Sequence, residues 1–599
     1  MKLTDLYKVE TLDSRFGSST GQPRPDAQPS RWNTPEYYFY GLCFATIPFL
    51  MFKSVYDVSK PEHPSFEHYE PLLSPGWIPG RKVDNSDAQY AGFRENIPYM
   101  ALLLVLHPIL RKAYESLSTP KKSEGANGVK SHSGVASSKS ADERKESRIS
   151  FDVVFAVIFL VALHGVSALK IVFILYLNYQ IATALPRQYV GTTTWVFNIA
   201  LLFANELCHG YKFADIAAAA LPPTTTAADK PLEDNWGTWI DSYGGLLPRW
   251  EILFNITVLR LISFNFDYIW TMDQRASSPI EKKNLDPASL SERDRVAYGA
   301  QPSDFTFRNY FAYILYSPLY LAGPIVNFND YISQSRYPLP TISQSRIIPY
   351  AIRFGLCLLC MELCQHYLYA VAILKSNPDW SVYSPFQLSM LGYFNLHIIW
   401  LKLLLPWRFF RLWSLVDGID PPENMVRCMS DNYSALAFWR GWHRSFNRFV
   451  VRYIYVPLGG SELSRFRHIV NYLAVFTFVA LWHDINLRLL MWGWLITLFV
   501  LPEVLATLAF PARKWKDRPN QYRWLCGVGA VGNILMMMTA NLVGFAVGLD
   551  GLKGLVDGIV GSWGGRAFLL GACATLFVGV QVMFEVRESE KRRGINLKC

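Results

Sequence analysis

Apolar side chains run along this chain in long stretches, without the short alternation of a soluble core. A transmembrane helix needs about 20 consecutive, mostly apolar residues. The stretches near that length are 37–52, 97–110, 152–185, 193–207, 252–269, 310–328, 347–374, 386–405, 466–482, 487–510, 525–547 and 567–584. They predict an all-α, polytopic transmembrane bundle with about 10–13 membrane segments, since 152–185 is long enough for two. Several stretches are short or carry Pro, Asn, Glu or Arg, which predicts re-entrant or tilted pieces inside the protein.

Polar segments divide the apolar ones. Residues 118–147 are rich in Ser, Lys, Gly and Glu and hold almost no large apolar side chain, so we expect a disordered loop there. The predicted regions are a polar N-terminal segment (1–36), first membrane segments (37–117), this loop (118–147), membrane segments with exposed loops (148–303), a second membrane core (304–586) and a basic cytoplasmic tail (587–599).

Composition supports lipid as the solvent. Only 18% of the residues are charged, against about 25% in ordinary soluble domains. The nine cysteines show neither the spacing of a zinc site nor that of a small disulfide framework, so no metal is expected. The first thirty residues lack the apolar core of a signal peptide, so targeting is expected from an internal transmembrane helix.

Lys and Arg collect in three segments, 440–467, 513–523 and 591–598. Short cytoplasmic loops carry the excess of positive charge in membrane proteins. One pair of crossings separates each basic segment from the next, so all three fit the cytoplasmic side. The expected topology is multi-pass with a cytoplasmic C-terminus.

His483 follows the apolar run AVFTFVALW. An ionisable residue inside a membrane is a functional hypothesis by default, although a histidine there also serves as a hydrogen-bonding strut between helices. Burial favours the neutral imidazole, which can accept a proton from a hydroxyl near pH 7. His483 is therefore a candidate general base.

A second segment, 438–461, reads FWRGWHRSFNRFVVRYIYVPLGGS and combines arginines with aromatic residues. The spacing of four predicts that Arg440, Arg444, Arg448 and Arg452 share one face of a helix. One interpretation is an interfacial helix that binds anionic lipid headgroups. The other is a cationic floor in which Arg440, Arg444 and Arg448 bind the phosphates of coenzyme A. Both interpretations stay open.

This segment, followed by the apolar run that ends in Trp482 and His483, resembles the signature of membrane-bound O-acyltransferases. The upstream sequence YSPLYLAGPIVNFNDY (316–331) is similar to another segment of that family. The resemblance covers roughly 304–586 and implies that this region is the catalytic core. It is nearest to the branch of the Hedgehog acyltransferase and its fungal relatives implicated in remodelling glycosylphosphatidylinositol (GPI) anchors.

The resemblance implies roles for three residues. His483 matches the family's buried catalytic histidine, and His443 matches a second catalytic position. The Hedgehog enzyme has Asp at that second position, so His443 favours a hydroxyl acceptor over a peptide amine. Cys428 matches a cysteine that ligates haem iron in the Hedgehog enzyme, so haem is expected as a possible cofactor through Cys428.

The resemblance further implies a function. A long fatty acyl chain would pass from acyl-CoA to the hydroxyl of a lyso-lipid, in particular the sn-2 position of a lyso-GPI anchor, in the endoplasmic reticulum membrane. The expected partners are acyl-CoA, the lyso-lipid and membrane phospholipids, with no nucleic acid. Two alternatives remain: a glycerol or polyol transporter, whose path buried His and Asn could line, and an inactive regulator of the same family.

Overall fold

A computed structural model describes residues 24–118, 134–220, 236–273, 286–460, 465–483, 487–595 and 597. Within them the chain is helical almost throughout. Two short strands, β1 (Ser74–Pro75) and β2 (Lys82–Val83), pair antiparallel with Ser74 opposite Val83.

The helices carry most of the chain. The first nine are α1 (Pro35–Val58), α2 (Phe66–Tyr69), α3 (Ala88–Ser118), α4 (Gly134–His164), α5 (Ser167–Ala184), α6 (Arg187–Leu207), α7 (Phe213–Ala220), α8 (Trp236–Asp241) and α9 (Trp250–Asp273). Next come α10 (Glu292–Tyr298), α11 (Phe307–Ile314), α12 (Ser317–Tyr320), α13 (Phe328–Arg336), α14 (Gln344–Tyr367), α15 (Ala370–Lys375) and α16 (Pro385–Val416). The last are α17 (Ala435–Gly441), α18 (Arg444–Val450), α19 (Arg465–His483), α20 (Leu487–Ala509), α21 (Pro519–Asn541), α22 (Gly548–Val560) and α23 (Trp563–Arg592).

Short helical turns of other types link these helices. The 3₁₀ turns are Glu70–Leu72, Pro287–Ser289, Pro302–Asp304, Trp380–Val382 and Ala512–Trp515, and the π-helical turns are Val451–Tyr455 and Leu542–Ala546.

Nine of the described helices are long and apolar enough to cross a membrane. They are α1, α4, α5, α9, α14, α16, α20, α21 and α23. A shorter apolar stretch, Val470–His483, lies in α19. The predicted class, a polytopic helical membrane protein, is confirmed, and these ten segments match the lower end of the predicted number.

The chain folds into two compact units, and the division predicted at residue 304 stays a prediction. Unit 1 holds the described residues up to Pro98, Pro349–Arg408 and the chain from Glu423 onward. Its main core packs side chains of α14, α15 and α16, with Leu388, Leu391 and Leu404 fully buried. A smaller core joins Ala435, Trp492 and further apolar side chains of α20 and α21.

Unit 2 comprises Tyr99–Ile348 and Phe409–Pro422. A buried ionic network lies within it: the guanidinium of Arg111 lies 2.5 Å from Asp152 and 2.6 Å from Asp417. Arg148 lies 2.6 Å from the other oxygen of Asp417. Removing one member of such a network leaves an uncompensated buried charge, at a cost of about 3–5 kcal/mol. These contacts bind α3 and α4 to the segment that follows α16.

The prediction of a disordered loop over 118–147 is wrong for its C-terminal part. Helix α4 begins at Gly134, and the Lys145 ammonium lies 2.8 Å from the buried carboxylate of Asp304. Low apolar content hid this helix because its charged residues find ionic partners far along the chain. Residues 119–133 lie outside the described part of the chain.

The predicted tail, 587–599, is also partly helical. Helix α23 continues to Arg592, since Arg587 pairs with Asp431 at 3.1 Å and Arg592 with Glu585 at 2.5 Å. Ion pairs therefore extend the last apolar helix beyond its apolar part.

Candidate active site

Unit 1 contains a cavity of about 390 Å³, within the usual range of small-molecule sites. Its polar lining residues are Gln89, Lys402, His443, Asn447, His483 and Asn541. The remaining lining is aliphatic, aromatic or Met, with Trp439, Trp442 and Phe446 among the larger side chains. The two histidines that the sequence analysis selected thus share one mostly apolar cavity.

A break between α17 and α18 places His443. Its backbone has φ of 43°, in the left-handed region, which is uncommon for residues other than glycine. The prediction that the four arginines share one helical face is wrong for this reason. Arg440 lies on α17, whereas Arg444 and Arg448 lie on α18.

Two residues distant in sequence, Asn424 and Glu503, stabilise the N-terminal ends of these short helices. The buried Asn424 accepts hydrogen bonds at the start of α18, from the Arg444 N–H to its carbonyl at 3.0 Å and from the Ser445 N–H to its Oδ1 at 3.1 Å. Glu503 of α20 accepts the N–H of Ala435 at 2.8 Å and also the Ser434 hydroxyl at the start of α17. Such contacts satisfy N–H groups that a helix leaves unpaired at its N-terminus.

The imidazole of His443 contacts two aromatic rings. Its centroid is 4.3 Å from that of Trp407 and 5.2 Å from that of Phe446, and both contacts are stacked. Burial, with a further contribution from the neighbouring His483, lowers the pKa of His443 to about 3. His443 is therefore neutral at physiological pH, with one ring nitrogen as donor and one as acceptor.

His483 is the last residue of α19, and its side chain opens onto the cavity. Its ring centroid lies 4.8 Å from Trp482, 6.2 Å from Trp492 and 6.4 Å from Phe446, which also contacts His443. Within the described part of the chain, no protein group hydrogen-bonds a ring nitrogen of either histidine. Both imidazoles can thus bond to a substrate in the cavity.

The three arginines expected to bind coenzyme A lie outside the cavity lining. Arg440 is exposed, Arg448 is half-buried and Arg444 is buried at 5% exposure. Their role with coenzyme A stays a prediction. Of the three, Arg440 and Arg448 have accessible surface with which to meet a ligand.

The surroundings of Cys428 do not fit a haem. Cys428 is exposed and lines neither described cavity, and the pocket lined by its chain neighbours Arg427 and Met429 measures about 10 Å³. Such a space holds about one water molecule, far less than a porphyrin. Across the residues that the structure describes, His, Cys, Asp and Glu nowhere form a group of three or more that could hold a metal.

Four further residues shape this site, and none of them belongs to the sequence motifs described above. Lys402 and Glu503 are charged residues within apolar helices. Because ionisable residues are rare in membrane segments, their position alone would have marked them as candidates. Trp407 and Asn424 carry no such signal, because an aromatic in an apolar run and a loop amide are both common.

The fold and the site together define a multi-pass membrane protein in which His443, before α18, and His483, at the end of α19, line one cavity. The family model described as "MBOAT, membrane-bound O-acyltransferase family" matches residues 156–548. The chain belongs to the membrane-bound O-acyltransferase family, as the sequence resemblance predicted. The match begins upstream of 304, where the sequence analysis placed the start of the core.

Two fungal relatives are similar to this chain over its whole length, and a mouse relative is similar to part of it. "Membrane-bound O-acyltransferase GUP1" of Saccharomyces cerevisiae is 44% identical, covering 100% of this chain and 99% of its own length. The protein of the same name from Candida tropicalis is 44% identical, over 100% of this chain and 96% of its own length. "Protein-cysteine N-palmitoyltransferase HHAT" of mouse is 29% identical over 31% of this chain and 37% of its own length. The chain is a membrane-bound acyltransferase with an acyl donor and an acceptor as its substrates.

Proposed function

We propose that this protein transfers a long fatty acyl chain from acyl-CoA to the hydroxyl of a lyso-lipid, with the sn-2 hydroxyl of a lyso-GPI anchor as the acceptor. The observation that carries the proposal is the shared cavity. His443 and His483 line one space whose other walls are mostly apolar, which suits a fatty chain next to a reacting centre.

In the proposed mechanism, His483 acts as the general base. Its neutral imidazole takes the proton of the acceptor hydroxyl while the oxygen attacks the thioester carbonyl. The tetrahedral intermediate then collapses, the C–S bond breaks, and the imidazolium returns the proton to the leaving thiolate. The products are an ester and free coenzyme A, and the already activated thioester makes a covalent acyl-enzyme unnecessary.

His443 assists this reaction. Because it is neutral, one of its ring nitrogens can donate a hydrogen bond to the oxyanion or position a substrate. Its stacked contacts with Trp407 and Phe446 hold the ring in place. A donor that is fixed before the reaction needs no reorganisation when charge develops.

The donor is proposed to enter from the cytoplasmic face of the endoplasmic reticulum membrane. Three basic segments support that orientation, and with it a cytoplasmic C-terminus. Arg440 and Arg448 would bind the phosphates of coenzyme A at the entrance. The mouse relative is named as a palmitoyltransferase, which supports a long saturated chain in this protein.

The cavity argues against the alternative of a glycerol transporter. A solute path needs hydrogen-bonding groups along its whole length. Here, aromatic and aliphatic side chains form most of the described lining.

The test is acyl transfer by purified protein from radiolabelled palmitoyl-CoA to lyso-GPI, with lysophosphatidylinositol as a simpler acceptor. We expect labelled diacyl product from the wild-type protein. The matched arm contains labelled glycerol inside liposomes and no acyl donor. Glycerol flux without acyl transfer would favour transport, and neither activity would favour the inactive regulator.

A further inference from the structure

Lys402 is a charged residue in an unusual place. It lies within α16, one of the nine apolar helices, and its side chain lines the same cavity as His443 and His483. Among the described lining residues, it alone carries a formal charge. An ionisable side chain inside an apolar helix is costly, and such residues usually mark a substrate path or a binding site.

Its ionic partner is Asp87, which precedes α3. The Lys402 Nζ lies 2.5 Å from Asp87 Oδ2, while Asp87 Oδ1 accepts the N–H of Tyr90 at 3.0 Å. Burial raises the pKa of the Asp87 carboxyl, but Lys402, the Tyr90 N–H and Lys375 together lower it below its ordinary value, so Asp87 is ionised. Both oxygens of the carboxylate are thus engaged, and the pair is held at the start of α3.

This pairing leaves hydrogen-bond donors for a ligand. A lysine ammonium has three N–H donors, and only one of those of Lys402 has a partner among the described residues. Gln89, two residues after Asp87, lines the cavity with an exposed side-chain amide that has no partner within the described chain. Cationic and amide donors in the lining of an apolar cavity suit a phosphate oxyanion.

The position of Lys402 relative to His443 limits which phosphate fits. His443 stacks on Trp407, five residues after Lys402 in the same helix. At about 1.5 Å per residue, the two positions lie about 8 Å apart along the helix axis. Lys402, His443 and His483 line the same cavity of about 390 Å³, so a phosphate bound by Lys402 lies in the same space as the reacting centre.

We propose that Lys402, with Gln89, binds the phosphate of the acceptor lyso-lipid and thereby selects a phosphate-bearing acceptor over a neutral glyceride. This inference rests on the proposed function and names the residues that recognise the acceptor of that reaction. In such an acceptor the sn-2 oxygen and the phosphorus are separated by four covalent bonds of about 1.5 Å, roughly 5 Å in a bent chain. In acyl-CoA the whole pantetheine arm separates the thioester from the nearest phosphate. A phosphate site close to the histidines therefore fits the acceptor better than the donor.

Four variants test the inference. Lys402→Met removes the charge, and Lys402→Arg retains it. The double variant Asp87→Asn with Lys402→Met also removes the charge but leaves no unpaired carboxylate, which protects the fold. The matched control is Arg94→Met with Glu362→Gln, which neutralises another ion pair of unit 1, with 2.7 Å between its atoms, outside the cavity lining.

Binding is measured separately from catalysis, with each variant combined with His483→Ala. The probes are lysophosphatidylinositol, a monoacylglycerol with the same chain, and coenzyme A. We expect Lys402→Met and the double variant to weaken lysophosphatidylinositol binding about tenfold or more, as for the loss of a charged hydrogen bond. Monoacylglycerol and coenzyme A binding should change less than twofold, and Lys402→Arg and the control pair should bind as the parent does.

Equal weakening for the lysophospholipid and the monoacylglycerol would overturn the inference, because it would indicate a structural ion pair. Weakening confined to coenzyme A would also overturn it, by assigning the phosphate to the donor. A wild-type protein that transfers no acyl chain would instead contradict the proposed function, and the binding comparison would still decide the phosphate site.

Discussion

The imidazole of His443 stacks on the indole of Trp407, with ring centroids 4.3 Å apart and an angle of 27° between the planes. Trp407 belongs to α16, whereas His443 lies in the break between α17 and α18. The contact therefore lets the long helix α16 hold the His443 ring in position, although His443 itself lies outside any helix. It also supports a backbone conformation that a histidine rarely adopts.

Replacing Trp407 tests this contact. Trp407→Leu should reduce kcat for acyl transfer about tenfold or more and change KM for either substrate less, because a displaced catalytic group lowers the rate more than binding. The control is Trp563→Leu, at a tryptophan that is 83% exposed. Equal kinetics for both variants would contradict a positioning role for Trp407.

The cap of α17 gives a second prediction. Glu503→Ala leaves the N–H of Ala435 without its acceptor, and we expect a loss of about 1–2 kcal/mol of stability. Thermal unfolding of the purified protein in detergent measures the effect. Glu503→Gln retains an acceptor oxygen and should recover part of the loss. A Glu503→Ala protein as stable as wild type would show that the cap contributes nothing.

The neutral state of His443 predicts how kcat/KM for acyl transfer responds to pH. Its pKa of about 3 lies far below that of an ordinary histidine, so it gains no proton between pH 8 and pH 5. A mechanism that required a cationic His443 would accelerate as the pH falls through about 6.5. We expect no such acceleration in kcat/KM for acyl transfer. A rise at low pH that His443→Asn abolishes would contradict the neutral assignment.

The arginines distinguish a donor site from a lipid anchor. Arg440→Gln with Arg448→Gln should raise KM for acyl-CoA at least severalfold and KM for the acceptor much less, if these side chains bind phosphates of coenzyme A. Arg444 is not used for this test, because its burial makes a folding defect the expected result. Equal changes in both KM values would favour binding to membrane headgroups.

The sequence was sufficient for the class of fold and for selecting two histidines that line one cavity, whose catalytic roles stay predictions. Long apolar runs report the membrane directly, and His483 stands out as an ionisable residue at the end of one. His443 depended on the motif around it. The family resemblance therefore supplied two residues of the cavity lining, but not the apolar residues around them.

The local backbone could not be predicted in the same way. Arginines spaced by four favour a continuous helix, but the helix is interrupted at His443. Asn424 and Glu503 instead accept hydrogen bonds from the first N–H groups of the two short helices α18 and α17. Those partners come from segments far from the motif. Helix α4 was missed for a similar reason, since the acidic partner of Lys145 is Asp304.

The most direct test of the account is the rate of acyl transfer by His483→Ala. The variant should fold and bind palmitoyl-CoA like wild type, while kcat falls about 10²–10⁴-fold, the usual contribution of a general base. The matched control is His68→Ala, at an exposed histidine outside the cavity lining, which should retain full activity. Transfer by His483→Ala within a few-fold of wild type would contradict the assignment of His483 as the catalytic base.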